Sequence, residues 1–290
     1  MKGLITKGIG GFYYVKTDEG IIEAKGRGIF KKDGIVLCVG DIVNVEILQE
    51  DSSKGVIDKI YPRKNYFSRP PISNIDLLLV VFAAKNPKPN YPIIDKFVIN
   101  SQLHGIKPVI CINKKDLISE EELVYIKKIY GPAYEVVALS TKTGEGIEEL
   151  FQLIKGKTVA LAGPSGVGKS SILNKMLPSA NMETGQLSQK NMRGKHTTRH
   201  VEIFQMEQGG MVFDTPGFTS LELNDMDEND LRDYYPEFVQ LNGLCRYDNC
   251  KHLKEPDCAV TRAVKAGSIH PLRYKAYVAN MEELKNKNKY

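Results

Sequence analysis

The sequence predicts an α/β protein in three parts: a small β-barrel, a parallel sheet flanked by helices, and a short metal-bearing unit. Three observations carry this expectation. Short β-branched segments fill the first sixty residues. From residue 75 onward, apolar runs alternate with stretches of helical spacing. Three of the five Cys fall between residues 245 and 258. The expected units are residues 1–62, 63–222 and 223–290, with Tyr61-Pro62-Arg63-Lys64-Asn65 reading as the first linker.

In the first unit the expected strands are Leu4–Ile9, Gly11–Val15, Ile21–Arg27, Asp41–Leu48 and Gly55–Ile60. Gly and Asp clusters such as Gly10-Gly11 and Lys32-Asp33-Gly34 separate them. Five such strands in about sixty residues suit a barrel of the OB or SH3-like kind. The second unit opens on Ile75–Phe82, apolar on nearly every residue, as a strand covered on both faces requires. Ile93–His104 and Ser119–Ile129 have helical spacing. Lys107–Ile112, Val136–Leu139 and Thr158–Ala162 read as further strands. Cys38 and Cys111 read as inert thiols in apolar strands.

Composition excludes several classes. The 290 residues are 42% hydrophobic and 26% charged, an ordinary globular balance rather than a disordered one. No apolar run approaches the roughly 18 residues of a membrane span, and the first residues lack a signal-peptide core, so a cytoplasmic protein with no membrane partner is expected. Net charge is +5, which permits a nucleic-acid partner without requiring one. The charge is uneven: residues 223–244 carry six acids and one Arg (−5), and residues 245–290 carry ten Lys/Arg and five acids (+5).

Gly163-Pro164-Ser165-Gly166-Val167-Gly168-Lys169-Ser170 fits G-x-x-x-x-G-K-[ST] between a strand and the helical stretch Ser171–Leu177. Glycines let successive backbone N–H groups converge on a phosphate, and the helix start adds its positive end. Lys169 would reach the β- and γ-phosphates, and Ser170 would bind Mg²⁺. Asn113-Lys114-Lys115-Asp116 follows a buried strand and names the base. A carboxylate at Asp116 accepts from guanine N1 and N2, a donor pair that adenine lacks. Asn113 would bridge base edge and phosphate loop, and the Lys114 stem would cover a ring face. Ser140-Thr141-Lys142 fits a second base loop whose N–H groups meet O6. Asp214-Thr215-Pro216-Gly217 follows Met211-Val212-Phe213. There Asp214 would hold Mg²⁺ through water and the Gly217 N–H would sense the γ-phosphate. In Gly194-Lys195-His196-Thr197-Thr198-Arg199, Thr198 is preferred over Thr197 as a further Mg²⁺ ligand.

Phe218 stands where Ras-like proteins place the water-orienting Gln, just after the D-x-x-G, and a phenyl ring cannot orient water. Unaided hydrolysis should therefore be slow. His196, two residues before Thr198, is the candidate to position the attacking water once a partner orders the loop. Cys245-x4-Cys250-x-His252-x5-Cys258 supplies three thiols and one imidazole, a closed tetrahedral set for one structural Zn²⁺ with no position left for catalysis. Basic residues from Lys251 to Arg273, with Tyr247 and Tyr274, could grip RNA phosphates and stack on bases.

The order of these motifs is base loop, second base loop, phosphate loop, switch I, switch II, a circular permutation of the usual arrangement. With the β-rich start and the Cys spacing, the whole chain resembles the family of small-ribosomal-subunit-dependent GTPases called RsgA, YjeQ or YloQ. That resemblance implies a circularly permuted P-loop GTPase domain, an N-terminal OB-fold that binds RNA and a C-terminal α-helical zinc-binding domain. It further implies a monomer that hydrolyses GTP to GDP, is stimulated by the small (30S) subunit, binds 16S rRNA and assists late maturation of that subunit. Two rivals remain: a constitutive RNA-binding scaffold with a structural nucleotide, against which Lys169, Ser170 and Asp214 argue, and a P-loop ATPase or kinase, against which Asp116 argues.

Overall fold

The computed structural model describes residues 1–178, 201–215, 218, 223 and 226–287. Five strands open the chain: β1 (Lys2–Ile9), β2 (Phe12–Thr17), β3 (Gly20–Gly26), β4 (Ile42–Leu48) and β5 (Asp51–Ile60), with a short helix α1 (Gly28–Lys32) between β3 and β4. They pair in the order β1-β2-β3-β5-β4, and β4 pairs back onto β1, so the barrel closes with only β3 and β5 running parallel. One face of each strand is apolar: Ile5, Val15, Ile22, Val43, Val45 and Ile57 fill the interior.

Two corrections to the sequence reading fall here. Cys38 is buried but lies in an irregular segment before β4, not in a strand; burial pushes its thiol up to about 11. The segment 61–65 is no loose linker. The fully buried Asp41 carboxylate accepts from the Cys38 N–H, from Arg63 Nε and Nη2 and from the Ser73 hydroxyl, each at 2.7 Å. Asn65 is itself buried, its amide paired with the backbone of Ile75. A two-stranded ribbon, β6 (Tyr66–Phe67) and β7 (Ile72–Ser73), follows.

The second layer system contains β8 (Leu77–Ala83), α2 (Tyr91–Leu103), β9 (Lys107–Asn113), α3 (Glu120–Tyr130), β10 (Glu135–Ala138), α4 (Ile147–Ile154), β11 (Thr158–Ala162), α5 (Lys169–Met176), β12 (Val201–Gln205) and β13 (Met211–Asp214). The strand order is β10-β9-β8-β11-β13-β12, parallel except for β12. Every side chain of β8 is buried because both faces are covered. Leu78, Val80 and Phe82 face α2 and α3; Leu77, Leu79 and Val81 face α4 and α5. Burying one such side chain contributes about 1.5–3 kcal/mol. Caps fix the helix starts: the Asn90 side chain accepts from the Ile93 N–H, and Ser119 with Glu122 forms a capping box. The α5 helix begins at Lys169, two residues earlier than the sequence spacing suggested.

One long sheet joins both systems, because β12 pairs with β13 on one side and with β1 of the barrel on the other. The chain ends in α6 (Pro236–Val239), α7 (Ala259–Ala266) and α8 (Pro271–Lys287), helices that share a core built on Tyr235, Phe238, Tyr277 and Met281. Arg273 of α8 is 2% exposed and reaches Asp95 of α2 at 2.5 Å and Glu237 of α6 at 2.7 Å. Its guanidinium also lies over the rings of Tyr130, Tyr134 and Tyr235. Asp95 further accepts from the Tyr130 and Tyr235 hydroxyls. No described helix is long and apolar enough to cross a membrane.

Arg273→Met should therefore leave the buried Asp95 and the half-buried Glu237 without their cation and destabilise the C-terminal packing by about 3–5 kcal/mol. The sequence has no Trp, so urea unfolding followed by circular dichroism is the readout. An unchanged midpoint would show that the buried ion cluster does not hold the helices together.

Candidate nucleotide site and metal centre

The loops that the sequence assigns to base and phosphate all leave the same edge of the sheet, the carboxyl ends of its parallel strands, where α/β proteins bind ligands. β8 lies between β9 and β11, so the segment after β9 and the segment after β11 are brought alongside each other despite some fifty intervening residues. The side chain of Asn113 joins them. Its Nδ2 donates to the Val167 carbonyl at 2.9 Å, and its Oδ1 accepts from the Lys114 N–H at 2.8 Å and the Thr141 N–H at 3.2 Å. Three loops thus meet on one buried amide.

Lys114 takes a left-handed backbone (φ 61°) and sends its ammonium to the carbonyls of Gly166, at 2.8 Å, and Asn86. Asp116 is exposed. One of its oxygens accepts from the buried Ser140 hydroxyl at 2.5 Å, which orients the carboxylate. Ser140 in turn accepts from the Thr143 N–H at 3.1 Å, and Lys142 is exposed. Sequence reasoning placed Ser140 in a base loop but missed that its hydroxyl aims Asp116; no local pattern signals a bond across 24 residues.

In the phosphate loop, Gly163, Gly166 and Gly168 all have positive φ (144°, 77° and 97°). Gly168 has a second reason to be Gly: a Cβ there would sit 2.2 Å from Asn113 Nδ2 and push apart the amide that joins the loops. Val167 is buried, Pro164 is half-buried, and Ser165, Ser170 and Ser171 are exposed around the start of α5. The Lys169 ammonium folds back over the loop onto the carbonyls of Gly163 (2.6 Å) and Pro164 (2.7 Å). Burial without an acidic partner pushes its pKa down to about 8. A lysine held this way suits a polyphosphate: the anion supplies the missing charge, and the positive-φ loop supplies converging N–H groups.

Asp214 ends β13, against which α5 packs. Burial raises its pKa, and the Glu202 carboxylate opposite adds to the shift. Phe218 is buried, its ring edge-on to Phe67 at 5.1 Å, while the Gly163 N–H donates to its carbonyl at 3.1 Å. The residue after the D-x-x-G thus sends its side chain to the core and its backbone to the phosphate loop. His196, Thr197, Thr198 and Gly217 lie outside the described residues.

The thiols of Cys245, Cys250 and Cys258 and one His252 nitrogen lie within 4.8 Å of one another. His252 Nδ1 is 3.6 Å from Cys245 Sγ and 3.4 Å from Cys258 Sγ, spacings that fit ligands around one tetrahedral ion. Burial and the neighbouring thiols push Cys250 up to about 12, and a dication at the centre would reverse that by favouring thiolates. The donor set therefore fits Zn²⁺. Among the described residues the ligand atoms that converge there are three sulfurs and one imidazole nitrogen, a closed set that suits a structural ion. Around it, Tyr277 and Tyr274 hydroxyls bond the carbonyls of Lys251 and His252. Within the basic run, Arg273 is buried, Lys251 is paired with Glu228 and the Tyr274 hydroxyl is engaged, while Lys254, Arg262 and Lys265 are exposed. Tyr247 remains exposed, with Arg246 over its ring.

The low pKa of Lys169 has a readable consequence. Its ammonium must be present to hold phosphate, so the free protein must take up a proton to bind nucleotide above about pH 8. Guanine-nucleotide affinity should fall between pH 8 and 9.5, with proton uptake visible in calorimetry across buffers of different ionisation enthalpy. Affinity flat over that range, without proton uptake, would mean that Lys169 is already protonated in the free protein.

The comparisons agree with this geometry. The RsgA GTPase family model matches residues 60–224, and the RsgA N-terminal domain model matches residues 2–57. A protein of Clostridium beijerinckii named small ribosomal subunit biogenesis GTPase RsgA is 47% identical over 294 residues, covering 100% of both chains. Its namesake in Agathobacter rectalis is 45% identical over 302 residues with the same coverage. Among solved structures, YjeQ from Thermotoga maritima superposes with a TM-score of 0.80 at 36% identity over 98% of both chains. YloQ, titled a circularly permuted GTPase, gives 0.79 at 35% identity over 99% of this chain and 95% of that one. The five-stranded barrel, the sheet whose base loops precede its phosphate loop, and the helical unit with its Cys₃His cluster thus have their counterparts in one family: the chain belongs to the RsgA GTPases and is a GTP hydrolase.

Proposed function

We propose that the chain hydrolyses GTP to GDP and phosphate in the service of small-ribosomal-subunit biogenesis, and that the subunit itself triggers the reaction. The observation that carries the nucleotide assignment is the Asn113 amide, which fixes the Asp116 loop, the Thr141 loop and the Val167 carbonyl together. Asp116 reads the guanine edge with the oxygen that Ser140 leaves free, and the Lys114 stem covers the ring. Lys169 and the N–H groups of residues 163–171 hold the phosphates and stabilise the charge that builds on them. Ser170, Thr198 and Asp214 would hold Mg²⁺, which would offset the negative charge of the phosphates. Gly217 senses the γ-phosphate, and His196 orients the attacking water.

The partner enters because the free chain lacks a water-orienting group after the D-x-x-G: the Phe218 ring is packed against Phe67. Docking on 16S rRNA, through the barrel and the exposed Tyr247 side of the metal unit, would bring His196 to act on the attacking water. The chain acts as a monomer of three units, 1–62, 63–222 and 223–290, in the cytoplasm. Zn²⁺ on Cys245, Cys250, His252 and Cys258 would keep the last unit folded.

Phosphate release from GTP, with and without purified small subunits at fixed salt, tests this reading. Slow release alone and strong acceleration by subunits are expected, and His196→Ala should lose the acceleration while nucleotide binding persists. Fast release alone would mean that the catalytic set is already complete. Slow release with no response to subunits would favour a constitutive RNA-binding scaffold with a structural nucleotide.

A further inference from the structure

The barrel and the phosphate-binding sheet share a row of charges. The β1–β12 register sets Lys7 opposite Glu202, and the β12–β13 register sets Glu202 opposite Asp214. Directly opposed residues of antiparallel strands project from one face, so Lys7, Glu202 and Asp214 stand side by side across three strands. Val212, two residues before Asp214 on that face, packs with Ile172, Leu173 and Met176 of α5, which places the row on the phosphate-loop side of the sheet. The row runs on into the barrel: Tyr14 lies opposite Lys7 and Glu23 opposite Tyr14, whose hydroxyl donates to Glu23 at 3.2 Å.

Two carboxylates opposed across a strand pair repel. Here the Lys7 ammonium lies 2.9 Å from Glu202 Oε2, with both side chains about one-third exposed. Lys7 therefore offsets part of the Glu202 charge that bears on Asp214 and ties that carboxylate to the barrel. We propose, on the reading above of Asp214 as part of the metal–phosphate end of the GTP site, that Lys7 is a positioning residue for nucleotide binding, acting through Glu202. The barrel then contributes to the GTP site without touching GTP. With Lys7 neutral, an uncompensated carboxylate would stand beside Asp214 and repel GTP·Mg²⁺, which is itself a net anion. The reacting atoms would be unchanged.

The test is steady-state GTP hydrolysis by the full chain at saturating Mg²⁺. Lys7→Met should raise KM roughly threefold or more and leave kcat within about twofold, because Glu202 touches no reacting atom. Lys7→Arg should restore the wild-type KM. In Lys7→Met/Glu202→Gln, KM should return to that of Glu202→Gln alone, since no carboxylate is left for Lys7 to hold. This last comparison also separates the proposal from simple misfolding, which the second substitution would not repair. An unchanged KM in Lys7→Met would mark an ordinary surface ion pair of little energetic weight and overturn the proposal. A rise that persists in the double variant would overturn it as well. Asp214→Asn distinguishes the two levels of failure: if it leaves hydrolysis intact, the reading of Asp214 falls and the proposal with it. If it disables hydrolysis while Lys7→Met is silent, only the role of Lys7 falls.

Discussion

The nucleotide site depends on one side-chain amide. Asn113 donates to the candidate phosphate loop and accepts from the two loops proposed to read the base, and it does so from full burial, where each unmade bond would cost about 1–3 kcal/mol. This explains why the order of motifs along the chain is immaterial to the site. β9, β8 and β11 are neighbours in space whichever comes first in sequence, and the amide closes the gap between their ends. Permutation moves the termini and leaves the contact that matters. Its mechanical consequence is that β13 and Asp214 now run directly into the C-terminal unit, while β12, on the other side of the switch segment, is clasped by the barrel.

Both flanking units are tied in by polar contacts as well as apolar ones. On one side, the β1–β12 pairing and the Asp41–Arg63–Ser73 cluster fix the barrel to the sheet. On the other, Arg273 sits between Asp95 and Glu237, with Lys96 and Glu283 paired nearby at 2.6 Å. An RNA contact on either unit would therefore bear on a framework that reaches the nucleotide through a few bonded residues. Such coupling needs an element with two arrangements.

Much of this was legible in the sequence where the physics is local. A phosphate loop is consecutive residues with fixed glycine needs, and Gly163 to Ser170 met them. Strands buried on both faces must be apolar at every position, which made β8 and β9 readable to within two residues. Cys245 to Cys258 announced a closed donor set through spacing alone. What stayed hidden is non-local. Nothing near Lys7 reveals that it will face Glu202, and nothing near Ser140 reveals that it will hold Asp116. Arg273 looked like part of a basic run open to RNA because its partners, at positions 95 and 237, come from distant segments. Tyr61–Asn65 resembled a linker because a chain without periodicity can still be packed through Arg63 and Asn65.

Base selectivity of Asp116→Asn is the most direct measurement. Ser140 engages one oxygen of Asp116, and in the proposed reading the other group meets the base. In the Asn variant that group becomes an amide donor, suited to the xanthine carbonyl and unsuited to the guanine donors. Competition binding with GDP and xanthosine diphosphate should show preference moving from guanine to xanthine, with the thermal unfolding midpoint unchanged. Retained guanine preference in a folded variant would contradict the account, because some other group would then be reading the base.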